Sequence, residues 1–300
     1  MTTWVKGNLH THTDQSDGDS PVDVVAKWYK DHGYQFLVIS DHNKVADLTS
    51  CAALADEGFI LIPGEEICIL FQGKPVHVHG MGGSREVEPC EGGSMAETIQ
   101  ANIDGAASGG GLPMVNHPNF GYAFDHRELL KVKGYNLLEV YNGCPGVENS
   151  GDAAHIPAEQ IWDIVLSAGA QVYGTADDDA HHFATFSHAH ANPGRGWIVV
   201  RVKELTQAEV LDNIRKGNFY ASTGVELADF SFDGKTLRVA AKPSGDAHYL
   251  IRFIGLHGQI LAEVDGAAAY KLSGKPSEAY VRVKVISTDG KVAWTQPVRG

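Results

Sequence analysis

The feature that most constrains this chain is a repeated ending. Seven times in the first 182 residues, a short apolar, β-branched run breaks off into histidine, aspartate or glutamate. The runs lie at 4–10, 35–40, 59–63, 75–80, 112–116, 136–141 and 171–175. In order they reach or carry His10 and His12, Asp41-His42, Glu65-Glu66, His77 and His79, His117, Glu139, and Asp177-Asp178-Asp179 followed by His181-His182. Packing does not explain such a set, because buried charge is costly unless it is paired or holds a metal. Alternate residues of a strand share a face, so His10 and His12 can grip one ion together.

Helix signals fall between several of these runs. Ser20-Pro21-Val22-Asp23 opens one, "VADLTSCAALADEG" ends another on Gly58, and "SMAETIQANIDGAASGG" and "IPAEQIWDIVLSAG" read alike. The alternation predicts an α/β barrel or sandwich whose strand ends gather on one face, over residues 1–220. From residue 221 to 300 the texture is strand and turn, with Asp-Gly at 233–234 and 289–290 between β-rich stretches. That pattern predicts a small antiparallel β-sandwich. A chain of 300 residues, 43% hydrophobic, can bury a real core. Its net charge of −13 argues against a nucleic-acid surface or an anionic membrane surface. Cys51, Cys68, Cys90 and Cys144 form no CxxC pair, and "MTTWVKGNLH" has no apolar h-region. A reduced, cytoplasmic setting is the expectation. No apolar run is long enough to span a bilayer. No GxSxG elbow, Walker motif or dinucleotide fingerprint is present.

"HTHTDQSDG", "SDHN", "PGEEI", "VHVHG", "NHP" and "DDDAHH" together resemble the successive motifs of the PHP (polymerase and histidinol phosphatase) superfamily. "LLEVYNG", "GWIVVR", "KGNFYASTG" and the closing "AWTQPV" resemble its carbaryl-hydrolase-like branch, which carries a β-rich C-terminal segment. The resemblance implies a distorted (β/α)7 TIM-like barrel with two or three divalent ions. One ion would take His10, His12, Glu66 and Asp179. Glu66 would bridge to a second ion held by His77 and His117. A third would take Asp17, His42 and His181, with Asp17 standing where other members use histidine. Within this pattern Glu66 is preferred to Glu65, His77 to His79 and Asp179 to Asp178.

Mixed imidazole and carboxylate ligands suit Mn, Zn or Fe rather than Mg or Ca. A water shared between two such ions, its pKa lowered to roughly 7 as on zinc, would attack phosphorus or a carbonyl. The expected catalytic residues are Glu66, Asp179 and His181, with His182 or His155 as alternative acids. Lys44, Arg85, Arg127 and Arg195 are the cations that could hold a phosphate, and Glu139 and Asn142 are further substrate-side candidates. The first reading is a phosphoesterase acting on a small phosphate mono- or diester. The second is a carbamate or carboxylic-ester hydrolase on the same metals, and the third a non-catalytic metal-binding domain.

Overall fold

The computed structural model describes residues 2–300. Every run that ends in a ligand residue forms a strand. β1 (Thr3–Asn8) passes through α1 (Val22–Asp31) to β2 (Phe36–Ile39), and β3 (Ile60–Pro63) lies parallel beside β2. The chain then crosses into a second sheet. β4 (Glu66–Phe71) and β5 (Lys74–Met81) form a hairpin whose turn residues, Gln72 and Gly73, have φ of 49° and 78°. Two successive left-handed residues are what a tight hairpin turn requires. α2 (Met95–Ser108), capped by the Ser94 hydroxyl, leads to β6 (Leu112–Val115), which pairs antiparallel to β5. α3 (His126–Leu129), β7 (Leu137–Asn142), α4 (Ala158–Ser167) and β8 (Tyr173–Asp177) complete the sheet in the order β4-β5-β6-β7-β8.

The expected distorted (β/α)7 barrel is not found among the described residues; the architecture is α/β with mixed sheets. The β4–β5 hairpin and the antiparallel β5–β6 pair interrupt the strand–helix alternation that a parallel barrel needs. Isolated bridges, Thr11 to Ala180 and His42 to Glu66, link the ends of the two sheets. The helix expected before Gly58 is also reduced, to one 3-10 stretch over Thr49–Leu54. Asp47, just ahead of it, accepts from the Thr49 amide and hydroxyl, and a turn at Asp56–Phe59 takes the chain directly into β3.

The first sheet continues into the β-rich C-terminal part. β9 (Trp197–Val202) runs antiparallel to β1, and α5 (Gln207–Arg215) leads to β10 (Phe219–Ser222) beside β9. Then come β11 (Leu227–Phe232), β12 (Thr236–Ala241), β13 (Tyr249–Ile254), β14 (Ile260–Asp265), β15 (Ala268–Lys271), β16 (Arg282–Ser287) and β17 (Val292–Thr295). One nine-stranded sheet runs β14-β13-β16-β17-β10-β9-β1-β2-β3, and β11-β12-β15 form a separate three-stranded sheet. Leu237, Val239, Ile251, Phe253, Val283 and Val285 pack between them, the two-layer core of a sandwich. Both Asp-Gly pairs sit in hairpin turns, between β11 and β12 and between β16 and β17. No helix among the described residues is long and apolar enough to cross a membrane.

Two polar clasps tie the C-terminal strands to α4 and β8. Gln296 exchanges a pair of 2.8 Å hydrogen bonds with the backbone of Gly174. Arg282, fully buried, donates from Nε and Nη2 to both oxygens of Asp163 at 2.8 and 2.7 Å and from Nη2 to Glu159, while the Tyr280 hydroxyl donates to Asp163. Removing one partner of a buried pair leaves the other charge uncompensated. Arg282→Met is expected to lower unfolding stability by about 3 kcal/mol, read from urea denaturation, because Asp163 loses its counter-charge.

Candidate metal centre

The bridges between the two sheets place the ligand residues. Just beyond β1, the His12 amide donates to the Ala180 carbonyl and the Asp179 amide donates to the His10 carbonyl, both at 2.9 Å. Just beyond β2, the Glu66 amide donates to the Asp41 carbonyl at 3.0 Å and the Asn43 amide to the Glu66 carbonyl at 2.9 Å. Asp179 has φ of 50°, a left-handed conformation that aspartate tolerates better than most residues. Strand ends from two sheets are therefore laced together where their side chains converge.

Glu66 is the hub. Its Oε1 lies 3.3 Å from His10 Nε2, 3.2 Å from His77 Nδ1 and 3.3 Å from His117 Nε2. Its Oε2 lies 3.5 Å from His12 Nε2 and 3.0 Å from His42 Nδ1. Asp179 Oδ1 is 3.1 Å from both His10 Nε2 and His12 Nε2. On the other side of His12, Asp17 approaches His42 Nε2 at 3.4 Å and His181 Nε2 at 3.3 Å. Four groups among the described residues each place donor atoms within 4.8 Å of one another: His10, His12 and Asp179; His10, Glu66 and His117; His12, Asp17, His42 and His181; and His42, Glu66 and Cys68.

The Asp17 loop is shaped by a residue not counted among the site candidates. Asp41 is buried and accepts from the Thr13 amide and hydroxyl at 2.8 Å and from the Ser16 hydroxyl at 2.6 Å. The turn is so tight that a Cβ on Gly18 would lie 2.8 Å from the His12 carbonyl. That close approach returns Asp17 over His12. Asp14 stays exposed, and Asp19 accepts from the Phe183 and Ala184 amides, tying down the 181–184 loop.

The donor set fits divalent cations. His10 Nε2, His77 Nδ1 and both ring nitrogens of His12 are buried without a hydrogen-bond partner, although polar atoms inside a protein are normally paired. Burial disfavours charge on Glu66 and Asp179, yet the histidines, His10 foremost, hold both well below the usual carboxylate range. Burial likewise works against protonation of His10, but Asp179, Glu66 and Glu139 outweigh it and raise its pKa. His12 goes the other way: burial and the neighbouring His181 push it down to about 4. Carboxylates facing imidazole nitrogens are the donor types of a borderline-metal site.

Glu139 and Asn142, expected on the substrate side, lie beneath the ligands, each 1% exposed. Glu139 accepts from His10 Nδ1 at 3.0 Å, from the His117 amide at 2.9 Å and from Asn142. Asn142 donates also to Asp179 Oδ2 at 3.0 Å, and Asn116 donates to Glu66 Oε1 at 2.5 Å. Sequence reading missed Asn116, although "VNHP" places it directly before His117. His79 is fully buried, edge-on to His10, with its Nε2 4.0 Å from Glu66. Glu65 turns away and accepts from the Val87 amide. Asp178 accepts from the Tyr29 hydroxyl and the amides of Gly194, Arg195 and Gly196, so it builds the wall rather than the centre.

The candidate cations are mostly occupied elsewhere. Arg195 donates to the carbonyls of Gly143 and Ser187, Arg85 to that of Ser108, and Arg127 pairs with Asp125. Lys44 is exposed. His155 is paired with Asp152 and stacked on Tyr122, while His182 stacks on His190.

No family model matches the chain, and no curated protein matches it. Solved structures do. A two-domain protein from Bacteroides vulgatus, described as containing a predicted PHP-like metal-dependent phosphoesterase, aligns with a TM-score of 0.54 at 16% identity, covering 99% of this chain and 96% of that one. An amidohydrolase from Chromobacterium violaceum, with bound sulfate and no metal, aligns over 59% of this chain and 88% of its own, at 16% identity and a TM-score of 0.44. A Bifidobacterium adolescentis chain, provisionally named a metal-dependent phosphoesterase, aligns over 70% and 94% at 15% identity and a TM-score of 0.46. This chain shares its fold with the Bacteroides protein along its whole length.

The geometry separates the ligands by consequence. Asp17 serves only the group with His12, His42 and His181, whereas Glu66 reaches histidines on both sides. Elemental analysis is expected to find one ion fewer in Asp17→Ala and at least two fewer in Glu66→Ala.

Proposed function

We propose that the chain is a PHP-type metal-dependent hydrolase whose substrate is a small phosphate mono- or diester. The observation that carries this reading is the sharing of Glu66 among imidazoles carried on or just beyond four strands, with buried ring nitrogens left unpaired. His10, His12, Glu66 and Asp179 would hold one ion, Glu66, His77 and His117 a second, and Asp17, His42 and His181 a third. Bound there, divalent ions would supply Lewis-acid activation of water and neutralise charge that develops on phosphate oxygens.

The chain's own residues do the rest. Glu139 and Asn142 orient His10 and Asp179 from below, so the ring and carboxylate are fixed before substrate arrives. His181 faces the Asp179 carbonyl through Nδ1 at 3.0 Å, which turns Nε2 outward beside exposed Asp17. With its proton directed at that carbonyl, the ring offers the Nε2 lone pair to the third ion, the role given to His181 above. Phe120, 36% exposed, packs its ring edge-on against His117 and supplies an apolar wall beside the centre. The Bacteroides protein, whose fold this chain shares, is described as containing a predicted PHP-like phosphoesterase, which favours the phosphoesterase reading over the carbamate alternative.

The test is a panel of phosphate mono-, di- and triesters set beside aryl carbamates and carboxylic esters. Turnover of a phosphate ester, abolished by chelation, is the expected result. His12→Ala is expected to lower kcat/KM by more than the roughly 10–100-fold that loss of a residue behind a ligand costs. Turnover of carbamates with no phosphoester activity would overturn the substrate assignment, and activity that survives chelation and His12→Ala would overturn the metal mechanism.

A further inference from the structure

Cys68 lies two residues along β4 from Glu66, so the two side chains share a face of the sheet. In the hairpin register it stands opposite His77. Its Sγ is 2.8 Å from His42 Nδ1 and donates to the Glu66 carbonyl at 3.3 Å. A backbone clasp fixes this arrangement. The Cys68 amide donates to Asn43 Oδ1 at 2.7 Å, and Asn43 Nδ2 donates back to the Cys68 carbonyl at 3.1 Å. Asn43 adopts φ of 50°, so the turn that carries His42 is locked against the strand that carries the thiol.

His42 must divide its two nitrogens. Its Nε2 is 3.4 Å from Asp17 and belongs to the group with His12 and His181. Fully buried His12, in the same group, has neither ring nitrogen hydrogen-bonded. A neutral imidazole that offers a lone pair at Nε2 carries its proton at Nδ1. Two acceptors lie within reach of that proton, Cys68 Sγ and Glu66 Oε2, the latter at 3.0 Å. If Glu66 took it, the shared carboxylate would lose an oxygen to a side chain.

We propose that Cys68 is a positioning residue for His42: its thiol accepts the Nδ1 proton in a hydrogen bond, keeping Nε2 aimed at the ion shared with Asp17 and His181 and leaving Glu66 Oε2 free. The inference rests on the metal-centre reading above. A thiol donates one proton and accepts weakly, which matches its two contacts, one to a carbonyl and one from an imidazole. Without the sulfur the imidazole turns to Glu66.

The experiment titrates Mn2+ calorimetrically into the metal-free full chain and counts bound ions by elemental analysis, for wild type, Cys68→Ala and Cys68→Ser. Cys68→Ala is expected to bind one ion roughly 10–100-fold more weakly, and Cys68→Ser, which can also accept and donate, to restore the affinity. Cys68→Ala binding every ion as wild type does would overturn the proposal. A second measurement uses only the wild-type chain: Co2+ loading should give no thiolate-to-cobalt charge-transfer band, and such a band would make Cys68 a ligand instead. A wild-type chain that binds no Mn2+ overturns the metal centre itself, an outcome distinct from failure of the cysteine's role.

Discussion

One buried carboxylate organises this molecule. Glu66 has nitrogens of His10, His12, His42, His77, His79 and His117 within 4.0 Å of its two oxygens. Two oxygens cannot satisfy that many rings, and a carboxylate that is 1% exposed cannot turn to water for help. Cations resolve the conflict, since each ion can gather several nitrogens around one shared oxygen. The strands that deliver these rings come from both sheets, so the centre also sits where the sheets are laced together. Ligand placement and sheet junction are the same structural event.

The pairing of His10 with His12 was legible because period-two alternation is local: alternate residues of a strand share a face whatever the sheet topology. The seven strand-like runs were legible for the same reason. Sheet order was not. β9 pairs with β1 across nearly the whole N-terminal part, and no local pattern encodes a pairing of that separation. The hairpin between β4 and β5 did carry a signal, Gln72-Gly73 between apolar runs, but parallel alternation on either side masked it. Glu139 and Asn142 were found by type and misplaced by depth: a residue at a strand end can face the substrate or brace a ligand, and only tertiary packing decides which.

The charge distribution bears on how a substrate would be held. The chain carries −13, and the arginines nearest in sequence to the motifs spend their guanidinium groups on carbonyls or on Asp125. An anionic substrate would find little positive side-chain charge at this centre. Bound divalent ions would then be the main local positive charge and would invert the field that the acidic chain otherwise creates. Binding and activation of substrate would depend on the same ions.

The same logic gives the C-terminal strands a mechanical part. Asp179 follows two residues after β8, and the Trp162 indole of α4 donates to the Val172 carbonyl just before β8. Arg282 grips Asp163 and Glu159 of α4, and Gln296 grips Gly174 of β8. Both clasps originate on strands or segments of the nine-stranded sheet that also contains β1, the strand leading to His10 and His12. The ends of β1 and β8 are joined by the bridge at Thr11 and Ala180, by the Asp179 amide donating to the His10 carbonyl and by the Leu9 amide donating to Asp177 Oδ1. A sheet that holds β1 by main-chain pairing and β8 by buried polar clasps therefore backs these direct bonds from behind and stiffens the approach of His10 to Asp179.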